Sequence, residues 1–421
     1  MKFSQINDIL KYKYGDGEDP EKIKLRKKLN RVFYGVASVL LVTAIVLNVL
    51  FVKGVFNVKP ASTTPEIEPW ATPEPSGNAE LTVVDRSGSV REMKVNEVRI
   101  NQPSIYGHEM LFSAGEGALE GSVLTNLYLF NAVDGTAQKI AQSKMKDGEI
   151  FETYLSENWA VWVDTDHKGK NVIYKMNRVE IDGIKANTVS EVRETENHMP
   201  RMGLYGDYLV WMEQVSDKED KLYFIDLTSD ENMAIKLFES TNYAVSTPFI
   251  YKNTVIWADH DPEREGENVS AIYSLVFEDL GENDTLDEET DETEEEDSGE
   301  MEPEIFSAGT YVHKPICNDD IYLWIDKNNA PDSTLYYAYR SGAKPPVAFW
   351  DNVTQYSLGE DFIVFVSNQI VYAYYYKKDI LLQVSESDCS AILPQAFGSL
   401  IVWEDKTKTS GSDVFKYNIM E

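Results

Sequence analysis

One phrase of sequence occurs seven times in this chain, and that recurrence constrains its fold more than any other feature. Each copy opens with turn residues, continues with apolar residues ending in Trp or Phe, and often places an acid two positions further on. The copies are YGHEMLFS, SENWAVWVD, YGDYLVWME, YKNTVIWAD, CNDDIYLWID, LGEDFIVFVS and FGSLIVWED. Their anchors are Phe112, Trp162, Trp211, Trp257, Trp324, Phe365 and Trp403. The acids are Asp164, Glu213, Asp259, Asp326 and Asp405, and a proline precedes the turn at Pro103, Pro200, Pro248, Pro315 and Pro394. A second phrase, an aliphatic residue followed by an aromatic, trails each first one, from Leu127-Tyr128 to Val414-Phe415. In four copies the two aromatics stand 12 residues apart.

The anchors are separated by 50, 49, 46, 67, 41 and 38 residues, and the outlying interval holds an acidic tract. From Glu278 to Glu304 there are 16 acidic residues and no basic one, so residues 278–304 read as a disordered insertion in a loop of the fourth unit. Units of about 40–50 residues built from short strands are the period of propeller blades. Runs such as TVIWAD are apolar at nearly every position, so both faces of these strands must be covered. A lone blade cannot cover them, whereas a closed ring can. The fold class is therefore all-β, a seven-bladed β-propeller preceded by one transmembrane helix. The seventh unit ends after its third strand, and ELTVVD or REMKVNEVRI at the start of the domain is expected to supply the missing outer one.

The register of these phrases resembles the β-propeller of TolB-like proteins and the N-terminal propeller of dipeptidyl peptidase IV. The third unit carries the likeness as Pro200, Gly206-Asp207, Tyr208 to Glu213, then Leu222-Tyr223-Phe224-Ile225-Asp226. The resemblance covers roughly residues 100–417 and implies the same blade architecture.

Ahead of the repeats, VFYGVASVLLVTAIVLNVLFV runs from Val32 to Val52 without a charge. At about 1.5 Å per residue such a helix spans roughly 30 Å, the thickness of a bilayer's apolar core. Lys22, Lys24, Arg26, Lys27, Lys28 and Arg31 precede it, which places that flank in the cytoplasm and the repeats outside. The expected organisation is a cytoplasmic tail over 1–31, a transmembrane helix over 32–54, a Pro-rich spacer over 55–78 and the propeller over 79–421. The expectation is a single-pass type II protein of the cell membrane, touching lipid through residues 32–54.

The net charge of −32 and the lack of a basic stripe exclude nucleic acid as a partner. No HExxH, GxSxG or CxxC motif occurs, and no cofactor is implied. The recurring acids read as caps on strand ends. His198 and His313 each stand two residues before a proline of an innermost strand, so both are candidates to line the central channel. The leading function is a non-catalytic scaffold that binds an extracytoplasmic protein or cell-wall partner. The alternatives are a propeller-based metal-dependent lyase or hydrolase acting on an extracellular polymer, and the ectodomain of a signalling or envelope complex. Inward His, Asp and Glu at metal-bonding distance would favour the enzyme, and an aromatic rim the binding module.

Overall fold

The computed structural model describes residues 70–71 and 83–420, except 96, 116–122, 167, 179–188, 197–198, 217–218, 230–234, 241–246, 261–269, 277–303, 310–311, 330–331, 343, 354 and 408–412. The apolar run 32–54, its basic flank and His198 lie outside the described residues. Among the described residues no helix is long and apolar enough to cross a membrane.

Seven antiparallel sheets follow one another along the chain, one for each copy of the phrase. From the channel outward, blade one has a split inner strand (Arg99–Ile100 and Ser104–Tyr106), then Glu109–Gly115, Asn126–Asn131 and Thr136–Gln142. Blade two runs Glu149–Leu155, Trp159–Thr165, Lys170–Asn177 and Ser190–Glu196, and blade three Arg201–Tyr205, Tyr208–Ser216, Glu219–Asp226 and Ile235–Ser240. Blade four comprises Phe249–Tyr251, Thr254–His260, Ser270–Val276 and Glu304–Gly309. Blade five comprises Val312–Cys317, Ile321–Asn329, Asp332–Tyr339 and Val347–Asp351. Blade six has Tyr356–Leu358, Ile363–Ser367, Ile370–Tyr375 and Ile380–Gln383. Blade seven has Ala391–Phe397, Leu400–Asp405, Phe415–Ile419 and, from the far end of the sequence, Arg91–Glu92.

The repeat phrase explains the packing. All seven anchors lie in second strands and none exposes any surface. Each anchor enters an apolar cluster shared with the preceding blade: Phe112 with blade seven, Trp162 with blade one, Trp211 with blade two. Trp257, Trp324, Phe365 and Trp403 continue the series against blades three, four, five and six. Seven such clusters straddle seven blade interfaces, so the ring closes on itself. Six anchors also stand directly opposite a tyrosine of the third strand, as in Trp211↔Tyr223 and Trp257↔Tyr273, with ring centroids 5.2 and 5.7 Å apart. Stacked pairs of this kind add stabilisation beyond the area they bury. Gly203 allows the inner strands of blades three and four to close up, because a Cβ there would lie 2.7 Å from the Pro248 carbonyl oxygen.

Three features depart from the sequence reading. In blade seven the residue opposite Trp403 is Lys416, with Phe415 one place away against Glu404. Trp70–Ala71, inside the segment read as spacer, pairs in parallel with Ser307 and Ala308 on the outer edge of blade four. The acidic insertion falls between the third and outer strands of blade four as expected, but its last residue, Glu304, begins the outer strand. The seam closes as expected: Arg91 and Glu92 pair antiparallel with Tyr417 and Lys416. Met93 then donates its N–H to the Phe415 carbonyl at 2.8 Å.

Candidate binding site in the central channel

Each inner strand turns into its second strand through two residues, and these turns form one mouth of the channel. In blades one, three, four and seven an aromatic precedes a turn residue with positive φ: Tyr106-Gly107, Tyr205-Gly206, Tyr251-Lys252 and Phe397-Gly398. A positive φ at the first turn position matches the twist of a tight hairpin and favours glycine. Blades two, five and six close instead between Ser156 and Trp159, Asn318 and Ile321, and Gly359 and Phe362. Their turn residues are Glu157-Asn158, Asp319-Asp320 and Glu360-Asp361. Turn chemistry thus sorts the mouth into an aromatic set and an acidic set.

The aromatics pair across blade boundaries. Tyr106 and Phe397 have centroids 4.5 Å apart, and Tyr205 and Tyr251 4.8 Å apart. All four are part-exposed at the channel. Arg178 lies over Tyr106 at 5.4 Å and donates to the Ser156 and Glu157 carbonyls at 2.9 Å, which fixes the blade-two turn. Asp207 accepts from Trp159 Nε1 at 2.8 Å and Asn158 Nδ2 at 2.9 Å, tying blade two to blade three.

The acids fall into spent and unspent groups. Asp319 accepts from Lys252 Nζ at 2.5 Å and the Tyr251 hydroxyl at 3.0 Å. The hydrogen bond from Lys252 holds the Asp319 carboxyl below its ordinary range, while burial and the bond to Asp319 push the Tyr251 hydroxyl well up. Asp320 pairs with Lys377 at 2.5 Å and accepts from the Tyr376 hydroxyl at 3.1 Å. Glu360 and Asp361 form no ion pair within 4 Å among the described residues, although both carboxylates act electrostatically on the Lys377 amine. Glu360 is exposed and Asp361 half-buried, beside the Phe397 turn, because Ser357 of the blade-six inner strand accepts from the Ala396 N–H at 3.0 Å.

Behind the mouth is a cavity of about 1150 Å³ lined by the inner strands of all seven blades. Its charged lining comprises Glu152, Asp319, Asp320, Glu360 and Asp361 against Lys314 and Lys377. Glu152 keeps some surface because it faces the cavity, yet protein surrounds it, and this burial raises its pKa. The Tyr154 hydroxyl donates to it at 3.2 Å. Pro103, Pro248, Pro315 and Pro394, four of the repeat prolines, also line the wall.

The sequence candidates fare differently. The inner strands of blades five and seven bulge at Lys314-Pro315 and Leu393-Pro394, where Lys314 and Leu393 take positive φ. The bulge turns Lys314 and Pro315 to the channel, and His313, one residue earlier, is buried and absent from the lining. His198 falls outside the described residues. Among the described residues no group of three or more His, Cys, Asp or Glu side chains is placed to hold a metal ion. Two of the recurring acids act as the capping reading expects, whereas a third, Glu213, accepts from Arg193 Nη2 of blade two at 3.4 Å. Asp164 accepts from Ser143 Oγ at 2.7 Å and Lys144 N at 2.6 Å, and Asp405 from Thr407 Oγ1 at 2.5 Å and Ser390 N at 3.3 Å. Both carboxylates therefore hold the loop that enters their blade.

No protein-family model matches this chain, and no curated protein is similar to it in sequence. Solved structures are similar in fold. The β-propeller domain of the Trilobed protease from Pyrococcus furiosus matches with a TM-score of 0.53 at 9% identity, over 77% of this chain and 94% of that one. A prolyl endopeptidase matches at 0.52 and 9% identity, over 74% of this chain and 46% of its own. The acylaminoacyl peptidase of Pyrococcus horikoshii matches at 0.51 and 10% identity, over 76% and 51%. The fold is a β-propeller, similar to the propellers of these peptidases. The chain spans about half the length of the latter two enzymes. The Pyrococcus furiosus domain is described as having an open velcro topology; in this chain Arg91–Glu92 closes the last blade.

Proposed function

We propose that this chain is a membrane-anchored, extracytoplasmic binding module without catalytic activity, whose channel mouth grips a basic segment of a partner protein. The observation that carries this reading is the mouth itself, where part-exposed aromatics line the same cavity as Glu360 and Asp361, two carboxylates that form no ion pair within 4 Å among the described residues. An aromatic face and a carboxylate both attract ammonium and guanidinium groups, and the attraction grows where water is partly excluded. The anchor rests on the apolar run after a basic flank in the sequence.

Two measurements test the reading. A fluorescent oligolysine peptide is titrated onto the full chain from which residues 279–303 have been deleted, so that the acidic tract does not sequester it. Glu360→Gln with Asp361→Asn should weaken binding at least about tenfold, the effect of losing roughly 1.4 kcal/mol. Glu191→Gln with Glu196→Gln, on the outside of blade two, should leave it unchanged. Equal binding by both double variants would remove the mouth as the site. Separately, protease added to intact cells should digest the chain beyond Lys53 and spare residues 1–31; protection of the large domain would overturn the orientation.

A further inference from the structure

The outer rim carries a second construction that the ring does not need for closure. Before it becomes the outer strand of blade seven, the N-terminal segment adds a parallel strand to two other blades. Trp70–Ala71 pairs with Ser307 and Ala308 on blade four, and Val83–Asp85 with Leu381, Leu382 and Gln383 on blade six. Only then does Arg91–Glu92 pair with blade seven. The chain thus visits the outer edges of three blades in ring order before entering blade one at Arg99–Ile100.

The attachments differ along this path. The first is two residues long. The second is three residues long and leaves its side chains in water, with Val83 47% and Val84 43% exposed. It is held by backbone bonding that continues into Arg86 N–H to the Gln383 carbonyl at 2.8 Å. At the third, Met93 is buried in the cluster between blades seven and one, and Asn418 Nδ2 donates to the Arg86 carbonyl at 3.1 Å. Two short parallel strands with no buried side chain at the second contribute little to the core, and parallel pairing is slightly weaker per residue than antiparallel. Their order matters more, because any pull from the N-terminal side reaches the attachment on blade four first and the one on blade six next.

We propose that the strands Trp70–Ala71, Val83–Asp85 and Arg91–Glu92 act as a load-bearing strap: tension on the membrane tether peels the first from blade four, then the second from blade six, and so spares the third, which closes the ring. The setting rests on the anchored reading above, but the peeling order does not.

The test is optical-tweezers extension of the full chain in lipid nanodiscs, with click-chemistry handles at positions 62 and 133. Val133 is 61% exposed in a turn of blade one. Reversible low-force events should release the strands at 70–71 and 83–85, roughly 55 Å of contour for the 16 residues from Trp70 to Asp85, before any ring unfolding. A Val84→Cys, Leu382→Cys disulfide should abolish the second of these events, and reductant should restore it. Val84→Pro, which removes a backbone donor, should lower the force of that event without moving the melting temperature. A first event that already includes loss of blade seven would overturn the proposal. So would a fall in melting temperature for Val84→Pro as large as that caused by Trp257→Ala. Failure of oligolysine binding with the peeling order intact would cost only the mouth reading; loss of the order would cost only the strap.

Discussion

Blades four and seven use the same second strand for different ends. In blade four Trp257 faces Tyr273, and the strands on either side come from nearby sequence except for the parallel edge strand. In blade seven Trp403 faces Lys416, and the outer strand comes from the far end of the chain. Lys416 Nζ lies 2.8 Å from Asp405 Oδ2 and 2.5 Å from Glu386 Oε2. The side chains of Lys416 and Asp405 are only 12% and 2% exposed. An ordinary blade is held by stacked rings; the seam blade substitutes a buried ion pair at the same place. A hydrophobic face accepts many neighbours, whereas a buried charge pair tolerates one geometry, which suits the position where two ends of a chain must meet in register.

The widest test of this contrast removes an anchor. Trp257→Ala should cost about 3–5 kcal/mol in urea unfolding of the propeller, since a large ring leaves a cavity between blades three and four. A cost below about 1 kcal/mol would mean that the blade interface does not depend on it. Next comes the seam. Lys416→Met should cost about 2–3 kcal/mol by leaving Asp405 buried without its cation, and Asp405→Asn in the same chain should recover much of that. Equal stability of Lys416→Met and wild type would reduce blade seven to an ordinary blade.

The seam also has a pH signature. Burial works against the Asp405 carboxylate, but the hydrogen bonds from Lys416 and Thr407 outweigh it and hold the group far below the ordinary aspartate value. A depressed carboxyl contributes stability that is present above its unfolded value, near 4, and is lost as pH falls toward the folded value. Acid unfolding curves of wild type should therefore lose a contribution below about pH 4 that the Lys416→Met, Asp405→Asn variant lacks. Glu152 has the opposite sign. Burial raises it, so its contribution is present below the unfolded value and lost as pH rises through the folded one. Glu152→Gln should make a small gain in melting temperature at pH 7 that disappears below pH 4, and no gain at pH 7 would show that the channel wall already compensates the charge. Smallest of all, deleting residues 279–303 should shift the melting temperature by less than about 4 °C, because both bordering strands remain.

The blades were legible because their signal is local. An apolar run with a ring at a fixed distance from a turn repeats whichever neighbours it meets, so Trp162 and Trp324 could be placed without the structure. The resemblance to dipeptidyl-peptidase propellers points to the same fold as the solved peptidase propellers. The seam register was not legible: Val414-Phe415 fits the aliphatic–aromatic phrase better than Phe415-Lys416, and only the pairing partner decides between them. The channel was hidden for another reason. Asp319, Asp320, Glu360 and Asp361 are ordinary turn residues in sequence; they become one surface only when blades five and six are placed side by side. His313 shows the converse, since a bulge of two residues removed it from the wall that its spacing suggested. The parallel strand at 70–71 is too short to carry any pattern, and the one at 83–85, within the ELTVVD segment read as a strand for blade seven, pairs with blade six instead.

The bond from Asn418 to the Arg86 carbonyl joins residues 332 positions apart. A ribosome adding about 5–20 residues per second needs roughly 20 s to a minute to cover that interval. The strand that finishes the ring is thus among the first of the propeller to leave the ribosome and the last to find its place. Blades one to six can assemble during synthesis, but a product truncated anywhere before Phe415 has no strand to receive Arg91–Glu92. Ring closure in this sense reports that synthesis has passed the Phe415–Ile419 strand: any chain stopped before it leaves the outer edge of blade seven unfilled.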